Sequence, residues 1–271
     1  MTVNVFRKLL IIGVILVSLA GMAGCSKPQS KPAPKASPAP PGELKKLQSS
    51  LDELYNALKP ESPGKVKGNQ GGQQESETEG GKQKEKGAKT KQTVSKRVDW
   101  NKLQAQAEKI HDQWNKFEPK VVQAGARTED IKGMEKELDS IPAKIEAQDR
   151  SGVRLAVNNA AGYLPDFMEL YSKKVAPDLY RMRVMTRDVM LRVDDGDWAG
   201  ADQAMLKMKT TWSKLLVQLN GTSKTETDKT HLSLLDLEGA LQKRDQMLVL
   251  IKGNILEKNL DDMIKRQEMK I

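Results

Sequence analysis

At 98 to 117 the chain reads VDWNKLQAQAEKIHDQWNKF, and at 196 to 215 it reads GDWAGADQAMLKMKTTWSKL. Both satisfy one template: Asp-Trp, thirteen residues, Trp, any residue, Lys, then a large apolar side chain, with the copies 98 residues apart. The chain has four tryptophans, and the template takes all of them. Self-similarity within a chain points to repeated structural units, and the spacing of apolar residues says which kind. In the first copy Trp100, Leu103, Ala107, Ile110, Trp114, Phe117 and Val121 recur every three or four residues. Trp198, Ala201, Met205, Met208, Trp212, Leu215 and Leu219 do so in the second. Each run predicts a long amphipathic helix with one apolar face. Asp99 and Asp197 stand where a carboxylate accepts the free N–H groups of a helix's first turn. The indoles, about four turns apart, then anchor both ends of each seam.

The correspondence continues past the tryptophan helix. Leu138, Ile141 and Ile145 match Leu234, Leu237 and Leu241, now 96 residues apart, and Asp149 matches Asp245. Val153, Ala160, Leu164 and Phe167 then match Val249, Leu256, Leu260 and Met263. The apolar phase resets at each aspartate, which predicts a capped third helix after a tight turn, with Gly152 as a turn residue in the first copy. Each half thus reads as three helices, at 99–124, 129–148 and 149–174, and at 197–219, 226–244 and 245–269. A connecting helix over 177–193 would cover an open flank. The expected fold is all-α, a tandemly duplicated antiparallel helical bundle, with a first unit at 98–176, a connector at 177–195 and a second unit at 196–271. On the Asp-Trp start, the second Trp and the helix pair with its Asp turn, these units resemble a family of small helical domains of unknown function from clostridial-type bacteria. The resemblance covers roughly 98–170 and 197–265. It implies a thick-walled host and carries over no catalytic residue.

The start of the chain reads as an address. Arg7 and Lys8 precede the apolar run LLIIGVILVSLA at 9–20, and GMAGC at 21–25 sets small residues before a cysteine. Twelve apolar residues give ~18 Å of helix, too short for a hydrocarbon core of ~30 Å. The segment resembles the signal of bacterial lipoproteins, with Met22 where that family prefers Leu. The resemblance implies removal of residues 1–24 and a diacylglycerol on the sulfur of Cys25, the only cysteine in the chain. No intramolecular disulfide and no cysteine metal site can then form. Double acylation anchors stably where one chain does not, so the expected location is the extracytoplasmic face of the cytoplasmic membrane.

Charge divides the chain after Cys25 into two regions. Residues 26–97 carry a net +7, whereas 98–271 hold equal numbers of acidic and basic groups. The pI of about 9.4 therefore belongs to the signal and a basic tether at 25–97, and no nucleic-acid partner is expected of the folded part. Pro alternating with Lys, Ser and Ala at 26–42, and the Gly, Gln, Lys and Glu run at 59–97, predict disorder. Between them ELKKLQSSLDELYNALK places Leu44, Leu47, Leu51, Leu54 and Leu58 at three-four spacing, a short helical seam over 43–59. Such a helix is marginal alone in water. It must dock on its own domain, pair with a second copy or meet a partner protein. Docking or weak self-association is the expectation, because two heptads are few for a tight coiled coil.

Little else suggests chemistry. His111 and His231 do not occupy matching positions and have no second ligand one turn away. Covalent haem attachment would need Cys-x-x-Cys-His, which is absent. Met182 and Met185, like Met205 and Met208, could suggest copper(I), but the second pair lies on a tryptophan seam, where core filling accounts for it. Asp194-Asp195 and Asp261-Asp262 fall at helix ends or on polar faces. No cofactor is expected, and the reading is a non-catalytic structural or interaction module. The alternative is a helical bundle holding a small ligand, metal or haem at the cell surface.

Overall fold

Apolar residues returning every three or four positions, in runs often opened by an aspartate, make every regular element among the described residues an α-helix. The computed structural model describes residues 40–59, 98–171, 175–219 and 223–268. Cys25, the signal and most of the expected tether lie outside them. In chain order the helices are α1 Gly42–Ala57, α2 Trp100–Gln123, α3 Thr128–Glu146, α4 Arg150–Ala161, α5 Leu164–Glu169, α6 Ala176–Asp194, α7 Trp198–Gln218, α8 Lys224–Gln242 and α9 Gln246–Glu268.

Four aspartates open helices as their positions require. Asp99 accepts the Lys102 N–H at 3.0 Å, while Asp149, Asp197 and Asp245 accept those of Gly152, Gly200 and Leu248 at 2.9 Å. Each such cap contributes about 0.5–2 kcal/mol. The turns into α4 and α9 are made by Gln148 and Arg244, at φ of 54° and 53°. Two non-glycine residues thus take the left-handed conformation that L side chains resist. Gly152, expected to turn the chain, lies instead inside the first turn of α4.

The helix expected over 149–174 is broken in two. It ends at Ala161, turns through Gly162 and Tyr163, and restarts at Leu164. Pro165 is the reason: it has no N–H to give the preceding turn, and its ring would strike the carbonyl four residues back. At the start of α5 both costs vanish. The apolar positions survive the break, since Val153, Ala160, Leu164 and Phe167 are all buried, as are Val249, Leu256, Leu260 and Met263 on α9.

The larger departure concerns α1, which composition groups with the tether. It belongs to the same compact unit as the rest, Ser37–Ile271, and packs against α2, α4 and α5. All five seam leucines are at most 3% exposed, and Tyr55 beside them is fully buried. Arg150 fixes its end, donating from Nε to the Leu58 carbonyl at 2.7 Å and from Nη2 to that of Lys59 at 2.6 Å. At about 1.5–3 kcal/mol per buried leucine, docking in cis offsets what a free helix of this length lacks. Amide exchange should therefore be as slow over 43–57 as in α2, and independent of protein concentration. In a Leu47→Asp, Leu54→Asp variant those amides should exchange freely. Concentration-dependent protection in the wild-type chain would mean that the leucines are covered by a second copy instead.

The connecting helix α6 lies inside the molecule. It packs on α7 and α9 on one side and on α4 and α5 on the other. Leu179, Met182, Thr186, Val189 and Val193 are buried along it, and α9 approaches so closely that a side chain at Gly253 would overlap Met190.

Candidate functional site

Between α1, α6 and α9 the interior is ionic rather than apolar. Arg187 on α6 is 1% exposed. Its Nε donates to Glu257 on α9 and its Nη1 to Asp52 on α1, both at 2.7 Å. Arg183, one turn earlier, reaches the other Asp52 oxygen at 2.9 Å and Asp261 at 3.1 Å. Lys59 closes the group on Glu257 at 2.6 Å. The Tyr55 ring underlies it, with the Arg187 guanidinium 4.3 Å and that of Arg154 5.2 Å from its centroid; Arg154 in turn pairs with Asp194 at 3.0 Å. Four cations thus face four carboxylates, drawn from helices as much as 198 residues apart in sequence.

Burial by itself would raise the Glu257 carboxyl, but Arg187 and then Lys59 outweigh it and hold it below the usual carboxylate range. For Asp261 the balance goes the other way. Burial raises it, Arg183 offsets only part of that, and the nearby Glu257 charge adds to the rise. Burial likewise pushes the Tyr55 phenol up. Every carboxylate of the group is held by a cation, so what it can do is join helices in one register, not transfer protons. None of its members stands out in the sequence. The available signal is a pair of arginines four apart, each next to a seam position of α6.

The residues that do stand out in the sequence serve the core and the helix starts. Trp114 is 5% exposed and Trp212 2%. Trp114 stacks on Phe167 at 5.8 Å between centroids and meets Phe117 edge-on at 6.1 Å. Trp212 lies nearly coplanar with His231 and donates its indole N–H to His231 Nδ1 at 2.9 Å. Trp100 and Trp198 are half-buried against the core, the latter beneath the Arg244 guanidinium at 5.4 Å. Met182, Met205 and Met208 are buried among apolar side chains. Among the described residues no group of three or more His, Cys, Asp or Glu could hold a metal ion.

Two surface grooves accompany the core. One, of about 690 Å³, lies where Arg127, Asp130, Asp166, Glu169 and Asp178 meet. Arg127 binds Asp130, and Arg181 binds Asp166, Glu169 and Asp178, so its charges are spent on one another. The other, of about 450 Å³, runs between α2 and α3 at His111 and Trp114. No family model matches the chain, and no curated protein or solved structure does so. The resemblance to the helical-domain family therefore rests on the Asp-Trp pattern alone.

Proposed function

We propose that this chain is a lipid-anchored, non-catalytic helical module at the outer face of the cytoplasmic membrane, and that its helices form a tandemly duplicated antiparallel bundle. The observation that carries the anchor is a lone cysteine placed directly after a short apolar run and three small residues. The duplication is supported by more than the tryptophans. The caps at Asp99, Asp149, Asp197 and Asp245 recur in pairs, as do the left-handed residues Gln148 and Arg244. The leucines of α1 share their three-four-three-four spacing with Leu179, Met182, Thr186, Val189 and Val193 of α6. Each of these helices also packs on the tryptophan helix of its own half. On this reading each unit has four helices, α1 is the first of the amino-terminal unit, and residues 60–97 are an insertion where the second unit has a tight turn. The ionic group joins the units.

An interaction role is supported by the surface of the second half. Leu206, Val217, Leu232, Leu235, Met247, Ile251 and Ile255 are exposed on α7 to α9, whereas Val122 is the one comparable residue among those described on α1 to α6. A second copy or a partner protein would cover them. The test of the anchor is Cys25→Ala. That variant should lose all labelling by a fatty-acid analogue and leave the membrane fraction or accumulate as precursor. Labelling and retention equal to wild type would sink the proposal.

A further inference from the structure

We infer that the groove between α2 and α3 binds a small hydroxylated primary amine. Its walls are His111, Trp114, Asn115 and Glu118 from α2 and Glu135 and Asp139 from α3, with Leu138 at the base. These positions are one turn apart on each helix, so the amphipathic pattern that buries Trp114 also lines up the polar side chains beside it. Glu118, Glu135 and Asp139 have no ion-pair partner among the described residues, unlike the carboxylates of the other groove. Three like charges gathered without a counter-charge repel one another and favour a cation. A second observation comes from the floor. Trp114 is 5% exposed, yet its indole N–H has no acceptor, and His111 Nε2 beside it is also unpaired. An unpaired buried donor is costly to keep.

The other half of the chain shows how such a donor is satisfied when nothing need bind. The equivalent indole, Trp212, donates to His231. At the offset of 96 residues His231 corresponds to Glu135, and Leu235 to Asp139; at 98, Leu216 corresponds to Glu118. Where one half closes the site with a histidine and apolar side chains, the other keeps it open, acidic and one acceptor short. A ligand that fits both needs an ammonium for the carboxylates and an oxygen for the indole N–H. A volume of about 450 Å³ suits a molecule of sugar size. This site does not depend on the anchor, so Cys25→Ala and the experiment below fail independently.

The probe is glucosamine, titrated into the full chain labelled with 15N-tryptophan, with glucose and methylamine as comparators. The Trp114 indole resonance, identified by its loss in Trp114→Phe, should move saturably with glucosamine while that of Trp212 stays fixed. Glucose lacks the charge and methylamine the oxygen, so each should bind at least about tenfold more weakly. Glu135→Gln with Asp139→Asn should weaken glucosamine to a similar extent, and an unchanged Trp212 resonance will show that the variant is folded. An immobile Trp114 resonance up to the solubility limit would overturn the inference. So would a glucose response equal to that of glucosamine, or undiminished binding by the double variant.

Discussion

Arg187→Ala should destabilise the protein by about 3–5 kcal/mol, the range found when one partner of a buried pair is removed. The side chain touches nothing in solvent, and its loss strands Asp52 and Glu257 in the interior, with only Arg183 and Lys59 left to face them. Urea denaturation would show this as a lower midpoint. Arg187→Met with Glu257→Met should recover much of the loss, because an apolar pair of similar volume leaves no stranded charge. The acid response has a sign as well. Glu257 is held below its ordinary value, so its contribution is complete above the unfolded carboxylate pKa and is lost as pH falls through the lower folded one. Asp261 is raised, so it opposes stability above its folded pKa, and protonation relieves it. Glu257→Gln should therefore reduce stability at neutral pH and flatten its fall in acid, whereas Asp261→Asn should cost little. Equal losses in the two variants would mean that the ionic group does not distinguish its members.

Trp212→Ala and Trp114→Ala should each lower stability by about 3–5 kcal/mol, as large core truncations do. The reasons differ between the halves. Removing Trp114 takes one ring from a cluster of three with Phe117 and Phe167. Removing Trp212 leaves the His231 ring without its coplanar neighbour and its Nδ1 without a donor. Trp100→Ala and Trp198→Ala, at the half-buried ends of the same seams, should cost less. Chemical denaturation of all four variants, read as midpoint shifts at constant slope, would check the order. Near-equal losses at all four positions would contradict the anchoring roles assigned to the inner pair.

What can be read in the sequence is whatever is encoded within one helix. The aspartate caps, the buried faces of α2, α3, α7 and α8, and the connecting helix follow from spacings of three and four residues, which side-chain geometry translates directly into one face. The break at Gly162 and Tyr163 escapes such a reading because the apolar period runs through it undisturbed, and only Pro165 marks it. The ionic group is out of reach for a different reason. Asp52 and Arg187 are 135 residues apart, and no local pattern tells a buried arginine from a solvated one. The seam leucines are recognisable, but the helix's partner is not, because five leucines on one face specify burial and not by whom. The groove at Trp114 is hidden in the same way: His111 is legible as a histidine without a ligand set, while the orphaned indole N–H exists only in three dimensions.

The docking of α1 changes the length of the line between lipid and protein. With a tether running to residue 97, the folded part would begin 73 peptide steps from Cys25, a fully extended reach of roughly 250 Å at about 3.5 Å per step. With α1 built into the core, the folded part begins at Gly42, 17 steps from Cys25, and the reach shrinks to no more than about 60 Å. Residues 60–97 then leave the body and return to it, adding nothing to that distance. A module on so short a line meets only what lies within one protein's width or two of the lipid headgroups, and the depth of the wall beyond is closed to it.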